Sequence, residues 1–245
     1  MKVNSIGIIG YGHFGQFLHE LTERFFPMLT VKIYSRRAEA DGKTFFTFDE
    51  ACACDVVILC GAIREYGEQI KSVCAKALPE TIIVDVATVK KHTSDLLRAH
   101  CEGRRFFSTH PMFGPESYKK HGGTITGFRI VVTDYQLAND QYQLLKNVFA
   151  SLGFVIIEMT AEEHDQRLAE TLFLTHYVGQ SIVTGGFKRT AIDTLSFQFL
   201  MDAVESVKDD TALFQDVYQF NPYCKAVAER LHTAQKQVYD ALKSE

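Results

Sequence analysis

Two short stretches carry residue types that can do chemistry. The first, Ser108-Thr109-His110-Pro111-Met112-Phe113-Gly114-Pro115-Glu116-Ser117, puts a histidine, a carboxylate and hydroxyls in one segment. Pro111 restricts the backbone at His110, and Gly114-Pro115 forces another turn. An imidazole that titrates at about 6.5 suits proton abstraction near neutral pH, so His110 is a candidate general base. A buried, hydrogen-bonded structural histidine is the plain alternative. The second stretch, Gly10-Tyr11-Gly12-His13-Phe14-Gly15, follows the apolar run Ser5-Ile6-Gly7-Ile8-Ile9 and opens an apolar-periodic segment. That is the strand, glycine turn and helix of a dinucleotide site. Gly10 would permit the turn, Gly12 would let the pyrophosphate reach the backbone, and Gly15 would let the helix pack closely. The pyrophosphate would then lie over the free N–H groups at the helix start, where His13 and Phe14 stand.

These residues need a scaffold, and the hydrophobic pattern supplies an α/β one. A helix over 14–26 ends at Pro27, and a strand follows over 30–34. An Asp or Glu at the end of that strand would bind the adenosine ribose; Ser35-Arg36-Arg37 stands there instead, which favours NADP while leaving NAD possible. A solvated basic turn is the alternative. Further strands are expected over 45–48, 56–60, 81–86, 104–108, 128–132 and 154–157, with Gly61 and Ala62 at the edge where cofactor contacts gather. Helices are expected over 65–77, about 90–100 and 136–151. This is a Rossmann-like, mostly parallel sheet. From Ala161 the pattern is helical, over 161–186, 190–208, 211–220 and 222–243. The chain therefore reads as a dinucleotide-binding domain, 1–158, and a helical substrate and dimerisation domain, 159–245. So small a helical module needs a partner surface, which predicts a homodimer.

Composition narrows the class. The 245 residues are 46% hydrophobic and 23% charged, and 26 basic against 30 acidic side chains leave a formal charge of −4. No sustained Lys/Arg block exists to track a nucleic acid. No run of about 18 apolar residues suggests a membrane span. The strand begins almost at Met1, so no signal peptide is expected, and the setting is read as cytoplasmic. The cysteines, 6 in number, sit in apolar patterns and are read as structural thiols of a reducing compartment. No metal site is expected: His164 and His176 lie more than three helical turns apart.

Several motifs together resemble the prephenate and arogenate dehydrogenases of tyrosine biosynthesis, and the plant-like arogenate dehydrogenase branch in particular. They are the glycine turn, Asp85-Val86-Ala87-Thr88-Val89-Lys90, the 109–117 segment, Ala161-Glu162-Glu163-His164-Asp165 and Leu174-Thr175-His176-Tyr177-Val178-Gly179. The resemblance implies that His110 takes the proton from the C4 hydroxyl of a cyclohexadienol while hydride passes from C4 to the nicotinamide, and that loss of CO₂ aromatises the ring. It implies that Thr88 contacts substrate or orients the histidine, that Glu116 stands at the site entrance, and that His176 lines the substrate pocket. Ser117 belongs to the same substrate-facing element. His164 and Asp165 read as helix capping.

Two departures stand out. Bacterial relatives hold the ring carboxylate with an Arg in an FRDxTR-like segment, where this chain has Ser196-Phe197-Gln198-Phe199-Leu200-Met201. Lys188 or Arg189 would have to substitute. The acidic residue that follows the GPES element in plant enzymes is replaced near Lys120, which repels an ammonium and moves the expectation modestly toward prephenate over arogenate. Another beta-hydroxyacid dehydrogenase, an imine reductase, and a non-catalytic NADP-binding interaction protein are the rival readings.

Overall fold

The nearly continuous apolar runs become strands covered on both faces: β1 (Ser5–Ile9), β3 (Val56–Leu59) and β4 (Ile82–Asp85) lie at the heart of a seven-stranded sheet. The computed structural model describes residues 3–243. With β2 (Thr30–Tyr34), β5 (Arg105–Pro111), β6 (Arg129–Gln136) and β7 (Val155–Glu158), the strand order is β2-β1-β3-β4-β5-β6-β7. Every neighbouring pair is parallel except β5 and β6. The sheet is thus Rossmann-like and mostly parallel, and a helical region follows it.

Helices α1 (His13–Phe25), α3 (Tyr66–Lys76), α4 (Lys90–His100) and α6 (Asn139–Ser151) are the main crossovers. The core runs through Ile6, Ile8, Ile33, Val56, Ile58, Ile82, Phe107 and Val132. The strand expected over 45–48 is reduced to one bridge, Ile33 to Phe45. The Asp41 carboxylate accepts the N–H groups of Lys43, Thr44 and Phe45, and a Thr47–Glu50 capping box starts the short helix α2 (Phe48–Cys52). Side chains that capture backbone donors compete with a ladder, and here they prevail.

The reading of all six cysteines as thiols needs correction. Cys74 and Cys101 are joined by a disulfide, with their Cα atoms 5.8 Å apart, because α3 and α4 pack against each other. Cys52, Cys54, Cys60 and Cys224 are free. Burial pushes the thiols of Cys52 and Cys224 up to about 12, so both are inert near neutral pH. Among the described residues no helix is long and apolar enough to cross a membrane.

The chain divides into two compact units between His164 and Asp165, later than the expected break after 158. The division falls inside α7 (Ala161–Leu168), which passes through a π-helical turn, Ala169–Phe173, into α8 (Leu174–Thr184). The second unit continues with α9 (Leu195–Val207), α10 (Thr211–Phe220) and α11 (Cys224–Leu242). Its core gathers on Phe173, whose ring stacks with Tyr177, Phe214 and Tyr218. Apolar side chains remain uncovered on this unit, notably Phe187 (64% exposed), Ile192 (89%) and Phe199 (64%).

Candidate active site

Parallel strands present their C-terminal ends on one edge of the sheet, which is where such folds bind ligands. At the end of β1, Gly10 has φ of 108°, and a Cβ there would stand 2.8 Å from the Cys60 carbonyl oxygen. At Gly15 a Cβ would fall 2.3 Å from the Gly10 oxygen, which is the close helix–strand approach expected of that position. Gly12, the N-cap of α1, is open: a Cβ there would meet nothing within 4 Å. No side chain caps this helix start and its first turn holds no acidic residue, so its N–H groups and positive end are available to an anion. His13 is exposed and Phe14 half-buried beside them. Across the edge, Gln69 crowds Gly61 and keeps a buried Oε1 without a hydrogen-bond partner, while Ala62 is exposed. The steric opening at Gly12, the uncapped helix start and the orphaned amide oxygen fit a dinucleotide.

At the end of β2 the structure corrects one premise. The sequence places no acid there, but Glu65, from a 3-10 turn over Ile63–Glu65, reaches Arg36 and accepts from its Nη2 at 2.6 Å on both carboxylate oxygens. Arg36 is therefore partly neutralised. Arg37 is exposed, and its guanidinium makes no ion pair among the described residues. Ser35 Oγ accepts the Arg37 N–H at 3.2 Å.

His110 lies within β5, not beyond it. Strand β5 pairs with β4 only as far as Ser108, opposite Asp85, and its register with β6 shifts between Ser108 and Thr109, where β6 carries the extra residue, Thr133. A bulge bends the strand that carries it and locally increases the twist, and here it lies in β6 beside Thr109 and His110. The imidazole is 5% exposed and its Nδ1 lies 2.9 Å from His164 Nε2, the rings meeting edge to face. His110 Nε2 has no hydrogen-bond partner among the described residues, which leaves it to a ligand. Burial, then His164, then the Lys90 ammonium hold the imidazole well below its ordinary value. The expectation of titration near 6.5 is thereby corrected: desolvation disfavours the imidazolium, so His110 is neutral across the neutral range.

A buried polar lattice holds this strand end. Lys90 and Asp85 are both fully buried, and Lys90 Nζ donates to Asp85 Oδ2 at 2.6 Å and to the Thr109 carbonyl at 2.5 Å. Asp85 Oδ2 also accepts from Thr93 Oγ1 at 2.6 Å and Ser108 Oγ at 3.0 Å, while Oδ1 takes the Ala87 N–H at 2.8 Å. Thr109 Oγ1 donates to the Asp85 carbonyl at 3.0 Å. Each polar group thus has partners, as a buried charge requires. Thr88 is half-buried and makes no side-chain hydrogen bond with His110; the ring's partner is His164.

Beyond Pro111 the loop is anchored by aromatic rings. Phe113 stacks on Phe128 at 4.8 Å and on Phe154 at 5.4 Å, and meets Phe17 of α1 at 5.9 Å. The glycine-turn helix and the histidine loop therefore share one support. Helix α5 (Pro115–Lys120) carries Glu116, exposed and 3.3 Å from Lys119. Lys120 is exposed with no ion pair among the described residues. Ser117 turns inward on its own loop, donating to the Gly114 carbonyl at 2.9 Å and accepting the Gly114 N–H at 2.8 Å. Its hydroxyl closes the turn at the start of α5.

In the second unit His176 is 5% exposed. Its Nδ1 donates to the Leu172 carbonyl at 2.9 Å, which leaves Nε2 buried without a hydrogen bond, 3.7 Å from Asp210 Oδ2. That separation is an ion-pair distance but too long for a hydrogen bond. Arg189 is committed: its guanidinium grips Glu205 at 2.7 Å and Asp202 at 2.6 Å, and both raise its proton affinity. Its Nε and Nη2 are thus taken by carboxylates of the same unit, whereas Lys188 is exposed without an ion pair among the described residues.

Three side chains that the structure places at or beneath this strand end stood in the quoted motifs without being assigned a place at the site: His164, Asp85 and Lys90. The signal for the latter two was present, since a carboxylate closes the apolar strand Ile82–Asp85 and a lysine follows five residues later. For His164 the nearest signal was its place in the Glu163-His164-Asp165 motif, which reads equally well as a helix cap.

Known proteins bear on this geometry. A model described as "Prephenate dehydrogenase, nucleotide-binding domain" matches residues 36–158, and one described as "TYRAAT1-like, C-terminal domain" matches 183–245. The chain is 32% identical to Arogenate dehydrogenase 1, chloroplastic, of Arabidopsis thaliana over 98% of its own length, and it spans 39% of that relative's length. It is 30% identical to Arogenate dehydrogenase 2, chloroplastic, of the same plant over 95% of its own length and 68% of the relative's. Among solved structures, prephenate dehydrogenase from A. aeolicus, in complex with hydroxyphenyl propionate and NAD+, has a TM-score of 0.76 at 18% identity and covers 100% of this chain and 92% of its own, a likeness of fold. On the nucleotide-domain match and the plant relatives together, the chain belongs to the prephenate/arogenate dehydrogenase family.

Proposed function

We propose that this protein oxidatively decarboxylates prephenate or arogenate with an NAD(P) cofactor, using His110 as the base. The observation that carries this reading is a neutral, buried imidazole at the C-terminal edge of a dinucleotide-binding sheet, tethered through Nδ1 and open at Nε2. Nε2 takes the hydroxyl proton, and the alkoxide character that develops strengthens hydride departure from the same carbon. The nicotinamide, when bound, accepts the hydride. The Lys90–Asp85 lattice fixes the strand that presents the ring, and the phenylalanine cluster fixes the loop after it. Decarboxylation then closes the aromatic ring.

NADP is favoured over NAD. The support is Ser35 and the unpaired Arg37, with Arg36 available only by exchange from Glu65. Lys120, exposed and without a counter-charge on its own helix end, supports prephenate over the ammonium-bearing arogenate. A homodimer through the second unit is supported by its uncovered Phe187, Ile192 and Phe199; light scattering that gives a concentration-independent monomer mass would dismiss it. A two-by-two comparison of kcat/KM for prephenate and arogenate with NAD and NADP tests the whole reading. Turnover with a cyclohexadienyl acid, highest with NADP, is expected. Cofactor binding without turnover of either acid would favour a non-catalytic role.

A further inference from the structure

We infer that His164 is the proton acceptor behind His110, so that the base is a pair of imidazoles and not a single ring. The inference rests on the reading of His110 as the base and adds a second residue to it. His110 Nδ1 and His164 Nε2 stand 2.9 Å apart, with the residues 5% and 3% exposed. One hydrogen occupies that bond. If His110 is to offer Nε2 a lone pair for a substrate hydroxyl, its hydrogen must be on Nδ1, donated to His164 Nε2. The geometry therefore places an acceptor in line with the proton that His110 has to spare.

The pair removes a difficulty that a single ring would face. A proton arriving at His110 Nε2 creates an imidazolium in a buried position, facing the ammonium of Lys90 from α4, whose partner Asp85 lies at the end of β4. Transfer of the Nδ1 hydrogen to His164 Nε2 leaves His110 neutral, now protonated on Nε2, and places the charge on His164. Protons and electrons balance over the cycle. The hydroxyl proton passes to the pair, hydride passes from C4 to the cofactor, and the C–C bond to the ring carboxylate breaks. Its electron pair closes the aromatic ring as CO₂ departs, and the resulting phenolate oxygen takes the stored proton back. The pair holds the proton during hydride transfer and releases none to solvent.

The simpler role for His164 is to orient the His110 ring, and two substitutions separate the roles. His164→Gln sets an amide oxygen near the place of Nε2, which accepts the His110 hydrogen bond but cannot take the proton. His164→Leu removes both. Relay predicts that both variants lose roughly 10²-fold in kcat with KM within roughly 3-fold of wild type. It also predicts that the solvent-deuterium proton inventory, curved in wild type, becomes linear in His164→Gln. Wild-type kcat in His164→Gln alongside a loss in His164→Leu would reduce His164 to orientation and overturn the relay. A measurement on the wild-type protein without substrate decides the pair independently: long-range ¹⁵N–¹H spectra should show His110 protonated on Nδ1 and His164 unprotonated on Nε2. The reverse tautomer, with His110 protonated on Nε2, would overturn it even if the variants fail to fold. Absence of wild-type turnover would instead remove the proposed function, and the tautomer would still decide the pair.

Discussion

Lys90→Met isolates the buried lattice under His110. The side chain keeps its length and apolar stem but loses the ammonium that bridges Asp85 Oδ2 at 2.6 Å and the Thr109 carbonyl at 2.5 Å. Both charged residues are fully buried, so Asp85 would be left ionised without its counter-charge, a situation that costs about 3–5 kcal/mol when one partner of a buried pair is removed. Thr93, Ser108 and the Ala87 N–H still donate to Asp85, which places the expected loss toward the lower end, roughly 3 kcal/mol. The double change Asp85→Asn with Lys90→Met removes both charges and should recover more than half of that loss. Urea unfolding followed by circular dichroism reads each value as a shift in midpoint at constant slope. A loss under about 1 kcal/mol for Lys90→Met would refute the reasoning, because a buried pair at this distance cannot be broken so cheaply.

Four further outcomes follow from particular groups. His110 is held below its unfolded value, so its contribution to stability is present above about pH 6.5 and is lost as pH falls, by at most about 1.4 kcal/mol per unit; the wild-type stability curve should lose this slope in His110→Asn, and identical curves would contradict a buried neutral ring. Because only the neutral ring accepts a proton, the acid limb of kcat should also lie well below 6.5, and a limb at 6.5 or above would contradict the burial argument. Arg37→Ala should weaken NADP more than NAD, and Arg36→Ala should do so less because Glu65 already holds that guanidinium; equal losses for both cofactors would remove direct phosphate recognition. Lys120→Asp should raise the arogenate-to-prephenate ratio of kcat/KM, and an unchanged ratio would dismiss Lys120 as the source of discrimination.

What the sequence revealed was local in origin. The apolar runs of β1, β3 and β4 identify buried parallel strands, and Gly15 answers a steric demand set within the turn by the Gly10 carbonyl. What it concealed depends on chain segments that meet only after folding. Glu65 reaches Arg36 from 29 residues away, His164 reaches His110 from 54, and Cys101 reaches Cys74 from 27. Neither spacing nor periodicity encodes those meetings. His110 stood out as a candidate base by residue type and loop chemistry, but its proton affinity was not legible, since that follows from burial, from His164 and from the Lys90 ammonium. The pattern reads as a mostly parallel sheet, but which strand runs the other way, β6 along β5, was likewise invisible in it.

The most direct test of the account is single-turnover hydride transfer in His110→Asn, followed as reduced nicotinamide under saturating cofactor and cyclohexadienyl substrate. Asparagine keeps a polar group near Nδ1 for His164 but has no basic nitrogen, so cofactor affinity should hold while the chemical step slows by about 10²- to 10⁴-fold. An unchanged single-turnover rate in a folded His110→Asn protein would contradict the central claim.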